Sequence, residues 1–255
     1  MQITVHPVKY REVETLRDLY RRELNCQIVH DSFLARGFAD PYLIRVDGRI
    51  AGYGAIANKY DRDRLIEFYT FPSTRDIALP MFRELLTVSG ATHIEAQTNA
   101  PLMLLMLNQC ATNITPEKIL FQDAYSTHLV CPSGGVFRRS TPENSDAVFQ
   151  HQHEPVGDWI VESGGKAVAT GGFLTHYNPP YGDIFMEVEK SARLQGYGSY
   201  LVQELKRVCY EAGKKPAARC DPGNVASRIT LEKAGLLPCA HLLSGPIAPK
   251  IIILI

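Results

Sequence analysis

The stretch Val188-Glu-Lys-Ser-Ala-Arg193-Leu-Gln-Gly196-Tyr-Gly198-Ser-Tyr-Leu201 reads as the end of a strand, a glycine-punctuated turn and the start of a helix. The two glycines let the chain turn tightly and let a ligand approach the backbone without meeting a Cβ. The helix opens with N–H groups that have no partner inside it. Such a helix start attracts anions, phosphate groups above all.

Downstream, Leu201, Val202, Leu205, Val208 and Cys209 fall on one face of a helix over 199–211, and Gly213 ends it. A strand over 217–220 and a second helix over 224–233 follow, the latter closing at Ala234-Gly235. Leu242–Leu243 and the apolar run Ile251–Ile255 are expected to pair as strands across a Gly-Pro turn. That run would be an aggregation liability as an exposed edge, so it is expected to be paired or buried. Upstream, residues 184–188 form the strand into the glycine turn. Residues 159–162 and 167–175 form a hairpin about Ser163-Gly-Gly-Lys166.

The first half carries a looser version of the same order. A short strand over 3–5 precedes a helix with Val13, Leu16, Leu19, Tyr20 and Leu24 at helical spacing. Residues 42–46 and 50–57 read as a hairpin about Asp47-Gly48. A strand over 65–71 ends at Pro72, a helix over 73–88 stops at Gly90, and residues 93–97 are a strand. Pro101 opens a helix of leucines and methionines, and 119–130 reads as one long strand. Cys131-Pro-Ser-Gly-Gly135 has linker composition. The expected domains are therefore 1–132 and 133–255. Beyond the linker, Val136 starts a strand with a capped turn at Thr141-Pro142, then a short irregular helix running into His151-Gln-His153-Glu154.

Lys plus Arg and Asp plus Glu number 27 each, and the net charge is zero. No overall basic excess points to nucleic acid or an anionic membrane surface. No apolar stretch is long enough to span a bilayer. The N-terminus lacks the basic and apolar regions of a secretory signal. The six cysteines form no C-x-x-C pair, which speaks against zinc or a disulfide framework. The expectation is a cytoplasmic protein with reduced thiols. His151, His153 and Glu154 lack a third ligand of clear spacing, so no metal is expected.

Hairpin, strand, glycine turn, helix, strand, helix, hairpin is an order that resembles the GNAT acyltransferase superfamily. Two short signatures carry the resemblance. One is R/Q-x-x-G-x-G/A, present as Arg193-Leu-Gln-Gly196-Tyr-Gly198. The other is an N-x-x-A/S helix ending in K-x-G-F/L, present as Asn224-Val-Ala-Ser227 through Lys233-Ala-Gly235-Leu236. The match covers about Trp159 to Leu236. The first half resembles the same fold with its chemistry worn away: Thr70-Phe-Pro72-Ser-Thr-Arg75-Asp holds no glycine, although Asn99 stands where the asparagine would be. The implied fold class is α/β (α+β): two GNAT-like domains, each a mixed, mostly antiparallel sheet flanked by helices.

The resemblance implies that acetyl-CoA is the co-substrate. Its diphosphate would sit on the amides of Arg193, Leu194, Gln195, Gly196, Tyr197, Gly198 and Ser199. Backbone at Val188 would bind the pantetheine arm, and a nearby N–H would polarise the thioester carbonyl. Asn224 is a preferred N-cap residue; the resemblance adds a hydrogen bond to the same arm. Glu187, or Glu189 beyond it, is the candidate base, and a glutamate without catalytic role is the other reading. Strand alternation sends Glu187 and Glu189 to one face and Val188 to the other. Many relatives place a tyrosine seven residues after the asparagine to protonate the thiolate. Leu231 stands there, leaving Tyr197, Tyr200, Cys220 or water. The implied activity is transfer of an acetyl group to a primary amine of a small molecule or peptide. A non-catalytic acyl-CoA sensor or scaffold, and a loop holding another phosphate ligand, are the alternatives. Monomer and homodimer both stay open.

Overall fold

The computed structural model describes residues 1–141 and 148–249. Its strands among the described residues are β1 (Ile3–Pro7), β2 (Ala39–Val46), β3 (Arg49–Ala57), β4 (Arg64–Thr70), β5 (His93–Gln97), β6 (Thr115–Asp123), β7 (Val136–Arg139), β8 (Trp159–Ser163), β9 (Lys166–Leu174), β10 (Tyr181–Val188), β11 (Lys215–Cys220) and β12 (Leu236–Pro246). The chain divides into two compact units, Met1–Lys118 with the residues from Ala240 onward, and Ile119–Cys239. The Pro-Ser-Gly-Gly segment, where composition puts a domain border at 132/133, instead forms a short 3-10 turn, Pro132–Gly134, inside the second unit.

In the first unit the strand order is β1-β2-β3-β4-β5-β12. Only β4 and β5 run parallel; the other pairs are antiparallel. Asp47 and Gly48 both take positive φ, 46° and 78°, which gives the β2–β3 hairpin a turn whose twist matches its strands. Helix Ala78–Ser89 buries Met81, Phe82, Leu85 and Leu86 against the sheet and ends at left-handed Gly90. The predicted helix over 73–88 thus begins as a 3-10 segment, Pro72–Ile77, and becomes regular only at Ala78.

The second unit has the order β6-β11-β10-β9-β8-β7, with β10 and β11 parallel. The β8–β9 turn uses Gly164 and Gly165 at φ 58° and 75°. Helix Tyr197–Glu211 lays Leu201, Val202 and Leu205 on Ile184, Ala218, Phe121 and Val161. Burying one such side chain contributes about 1.5–3 kcal/mol, so this face fixes the helix to the sheet.

Two expected strands differ. The run over 119–130 is a strand only to Asp123. Beyond it Ala124 bonds Gly235 O, and Leu129 N–H and the Thr127 hydroxyl both bond Gln203 Oε1 of the helix, so helix polar groups replace a strand partner. The Gly245-Pro246 pair does not turn the chain. Both lie within β12, which pairs continuously with β5 from Leu242↔Gln97 to Pro246↔His93. The expected pairing of Ile251–Ile255, and the start of the irregular helix at 142–147, lie outside the described residues.

Candidate functional site

The parallel pair β10–β11 is hydrogen-bonded only from Tyr181↔Lys215 to Ile184↔Ala218. β10 continues to Val188 along its other neighbour, β9. Among the described residues, Phe185–Val188 therefore have a partner strand on one edge alone. Glu189 N–H bonds Val168 O on the β9 side. Alternation along an extended chain turns the N–H groups of Val188 and Met186 to the opposite edge, into the opening between β10 and β11. Unpaired strand amides facing an opening are donors for a ligand that lies along the strand.

The opening leads to the glycine turn. Gly196 sits at φ 94° as the N-cap of helix Tyr197–Glu211, and no side chain caps it. The first intrahelical bond is Tyr200 N–H to Gly196 O at 3.1 Å. The amides of Tyr197, Gly198 and Ser199 are thus left for an anion, at the positive end of the helix dipole. Leu194 is fully exposed at φ 63°, a conformation an L side chain rarely takes. Arg193 turns back, its Nε donating to Val188 O at 3.1 Å. Gln195 donates to Ser191 O at 3.0 Å. The two glycines do different work. Gly196 is required by its φ. Gly198 is favoured by packing, since a Cβ there would stand 3.1 Å from Thr230 and 3.3 Å from the Val188 side chain, which would have to give by a few tenths of an ångström. Asn224 caps its helix as expected, Oδ1 accepting Ser227 N–H at 3.0 Å.

Side chains of β10 divide between two faces. Ile184, Met186 and Val188 join the core under the helix. Asp183, Phe185 and Glu187 point the other way, by alternation. Glu189 lies past the strand end, where its carboxylate accepts Ser191 N–H at 2.7 Å. The Glu187 carboxylate is 6% exposed and accepts three backbone N–H groups at 3.0 Å, from Gln152, His153 and Glu154. Burial opposes its charge, but those amides and nearby His151 hold its pKa below the ordinary carboxylate value. A carboxylate so engaged is a weak proton acceptor; its geometry is that of a clamp on the loop before β8.

His151 completes the clamp, Nδ1 against Glu154 O at 2.9 Å and Nε2 against Thr170 Oγ1 at 3.0 Å. A carbonyl only accepts, so Nδ1 carries the proton in this arrangement. Both ring nitrogens are occupied, and among the described residues no cluster of three or more His, Cys, Asp or Glu could hold a metal ion.

Sequence reasoning missed a second polar group on this face. Asp183 Oδ2 lies 3.1 Å from Arg219 Nε, and Arg219 Nη2 donates to Tyr177 OH at 2.6 Å. Burial lifts the Asp183 carboxyl to about 6 against the pull of Arg219. The signal was present in the alternation of Asp183 with Glu187, but the partner comes from another strand 36 positions on. The candidate thiolate acids are placed differently. Leu231 is a core residue, 3% exposed, the Tyr197 hydroxyl bonds Ser163 at 3.0 Å, and Cys220 is buried under the helix. Half-buried Tyr200 has its pKa raised, chiefly by burial.

The first unit keeps the divergence, with a buried segment packed against both strands. β4 and β5 pair only at Arg64↔His93 and Leu65↔Ile94. Every residue from Cys26 to His30 is buried. This segment spans both strands: His30 N–H bonds Glu67 at 2.8 Å, the His30 ring meets Glu95 at 2.9 Å, and Gln97 donates to Ile28 O at 2.6 Å. Asn99 donates to Asn25 O at 2.8 Å. The segment thus engages side chains of both strands, and Pro72 brings no N–H to the turn after β4.

Comparison with known proteins agrees with this geometry. A family model described as Acetyltransferase (GNAT) family matches residues 121–236, and one described as Acetyltransferase (GNAT) domain matches residues 9–124. Among solved structures, a GNAT-family acetyltransferase from Colwellia psychrerythraea is similar with a TM-score of 0.75 at 13% identity, covering 97% of this chain and 100% of that one. A tandem GNAT protein from the clavulanic acid biosynthesis pathway gives 0.59 at 13% identity, over 97% and 99%. A GCN5-related N-acetyltransferase from Sphaerobacter thermophilus gives 0.56 at 15% identity, over 97% and 96%. At such identities the likeness shows the fold alone. No curated protein matches. Among the described residues no helix is long and apolar enough to cross a membrane. With each half matched in turn and the fold shared along the whole chain, this protein belongs to the GNAT acetyltransferase family and carries two GNAT domains in tandem.

Proposed function

We propose that the unit Ile119–Cys239 binds acetyl-CoA and transfers its acetyl group directly to a primary amine, in a ternary complex with no covalent enzyme intermediate. The observation that carries this reading is the divergence of β10 from β11 after Ile184↔Ala218, which opens onto the uncapped helix start at Tyr197. The diphosphate fits the amides of Tyr197–Ser199, and the extended pantetheine arm fits the strand amides of Val188 and Met186. An N–H at that edge is placed to stabilise the oxyanion of the attacked thioester. The loop held by Glu187 lies on the far face of β10 and borders the acceptor side. The first unit, with no glycine in the turn after β4 and residues 26–30 packed on both strands, acts as scaffold and binds no acetyl-CoA.

The buried Leu231 supports a second reading, an acyl-CoA-binding sensor without turnover, because it removes the usual proton donor. One experiment separates the two. The chain is incubated with acetyl-CoA and a panel of amino acids, diamines, aminoglycosides and peptides, and released thiol and N-acetylated product mass are followed. Amine-dependent release with an acetylated product supports transfer. Bound acetyl-CoA with no release supports the sensor.

A further inference from the structure

We infer that Gln203 is a positioning residue for the coenzyme site, holding the strap 124–135 so that Pro132 braces Gly196 of the diphosphate turn; this rests on the acetyl-CoA reading above.

The strap begins where β6 ends, at Asp123, and ends where β7 begins, at Val136. Among the described residues it pairs with no strand. Its first residues are tied by Ala124 N–H to Gly235 O at 3.0 Å and by Lys206 Nζ to Tyr125 O at 2.7 Å. From Ser126 to Cys131, every hydrogen bond to another element among the described residues goes to one side chain, Gln203. Its Oε1 accepts Leu129 N–H at 2.6 Å and the Thr127 hydroxyl at 2.8 Å, and its Nε2 donates to Leu129 O at 3.1 Å. The carboxamide thus meets both backbone groups of Leu129, as a neighbouring strand would. Burial follows the tie. Thr127, Leu129 and Cys131 are half-buried, while Ser126, His128 and Val130 between them are exposed.

Directly after this tie the chain reaches Pro132. Gly135 N–H donates to Pro132 O at 3.0 Å and closes the turn Pro132–Gly134. The Pro132 ring lies against the diphosphate turn, its Cγ 3.5 Å from where a Cβ on Gly196 would stand. Gly196 has no side chain to restrict its own backbone, so its φ of 94° must be held from outside. A proline ring is a stiff brace for that purpose. Gln203 belongs to the same helix whose opening amides Gly196 presents. Helix, strap and turn are therefore clamped as one piece, and a turn already ordered spares the coenzyme the cost of ordering it.

Calorimetry of acetyl-CoA against the full chain tests the inference. Gln203→Met keeps the bulk of the side chain and removes its hydrogen bonds to the strap. It should raise the Kd for acetyl-CoA about tenfold, roughly the worth of one hydrogen bond to a charged group. The KM for acetyl-CoA should rise by the same factor with kcat kept, because the turn acts on binding and not on the attacked thioester. Pro132→Gly removes the brace without touching Gln203 and should give a similar loss, which keeps the test open if the Met protein fails to fold. The double variant should bind no more weakly than the weaker single one, because both changes break one brace. A folded Gln203→Met or Pro132→Gly protein with unchanged affinity overturns the inference. So does a double variant whose loss is the product of the two single losses. Absence of acetyl-CoA binding by the unchanged protein instead removes the reading on which the inference rests.

Discussion

Glu187 Oε2 accepts the backbone N–H of Glu154 at 3.0 Å, so the strand that carries the opening also holds the loop on its far face. The same carboxylate takes the amides of Gln152 and His153. Glu67 in the first unit does a similar job, accepting His30 N–H at 2.8 Å and Arg17 Nε and Nη2 at 2.9 Å. In each unit a buried glutamate on the diverging strand ties down the segment before a hairpin.

Glu187→Gln should loosen the loop. Hydrogen bonds to a charged acceptor contribute about 1.5–3 kcal/mol each, and the amide keeps part of them, so a net loss of about 1–3 kcal/mol is expected in urea unfolding at neutral pH. The sign with pH follows from the depressed folded pKa: the contribution is complete above the unfolded carboxylate value and is lost as pH falls through the folded one. The unchanged protein should therefore approach the Gln variant in stability on acidification. A gap that stays constant down to acid pH would contradict the clamp.

Gly196→Ala places a side chain at φ 94°. Its Cβ meets nothing closer than Pro132 at 3.5 Å, so the cost is conformational, about 1–2 kcal/mol. The loop should relax away from the geometry that presents the Tyr197–Ser199 amides, weakening acetyl-CoA binding about tenfold or more. Normal affinity in a folded Gly196→Ala protein would remove the loop from the site.

Asn224→Ala removes the cap on Ser227 N–H and should cost about 0.5–2 kcal/mol in thermal unfolding. If Asn224 also bonds the pantetheine arm, acetyl-CoA affinity falls as well, whereas Asn224→Asp restores the cap without restoring the amide donor. Equal affinity in all three proteins would confine Asn224 to capping.

Glu67→Ala leaves Arg17, fully buried, without its bidentate partner. Breaking such a pair typically costs about 3–5 kcal/mol. The expected result is a large fall in urea midpoint. A midpoint close to that of the unchanged protein would mean that Asp31, 2.8 Å from Arg17, suffices for the charge.

The glycine turn, both hairpins and the Asn224 cap were legible because each depends on local chemistry. Positive φ at Asp47, Gly48 and Gly196 is written in residue type. Asp183 with Arg219 was not legible, since a β10–β11 pairing brings them together. The silence of the first unit was half legible. The missing glycines after Thr70 announced a silent copy, but nothing local shows that residues 26–30 bury themselves across β4 and β5. The Pro-Ser-Gly-Gly segment at 132–135 failed as a border because turn composition does not reveal whether packing continues across the turn.

The most direct test of the central claim, one coenzyme site in the unit Ile119–Cys239, is calorimetric titration of acetyl-CoA into the purified chain. Binding at one site per chain, lost on Gly196→Ala and kept on substitution in the first unit's 26–30 segment, is the predicted result. Two sites per chain, or none, would contradict it.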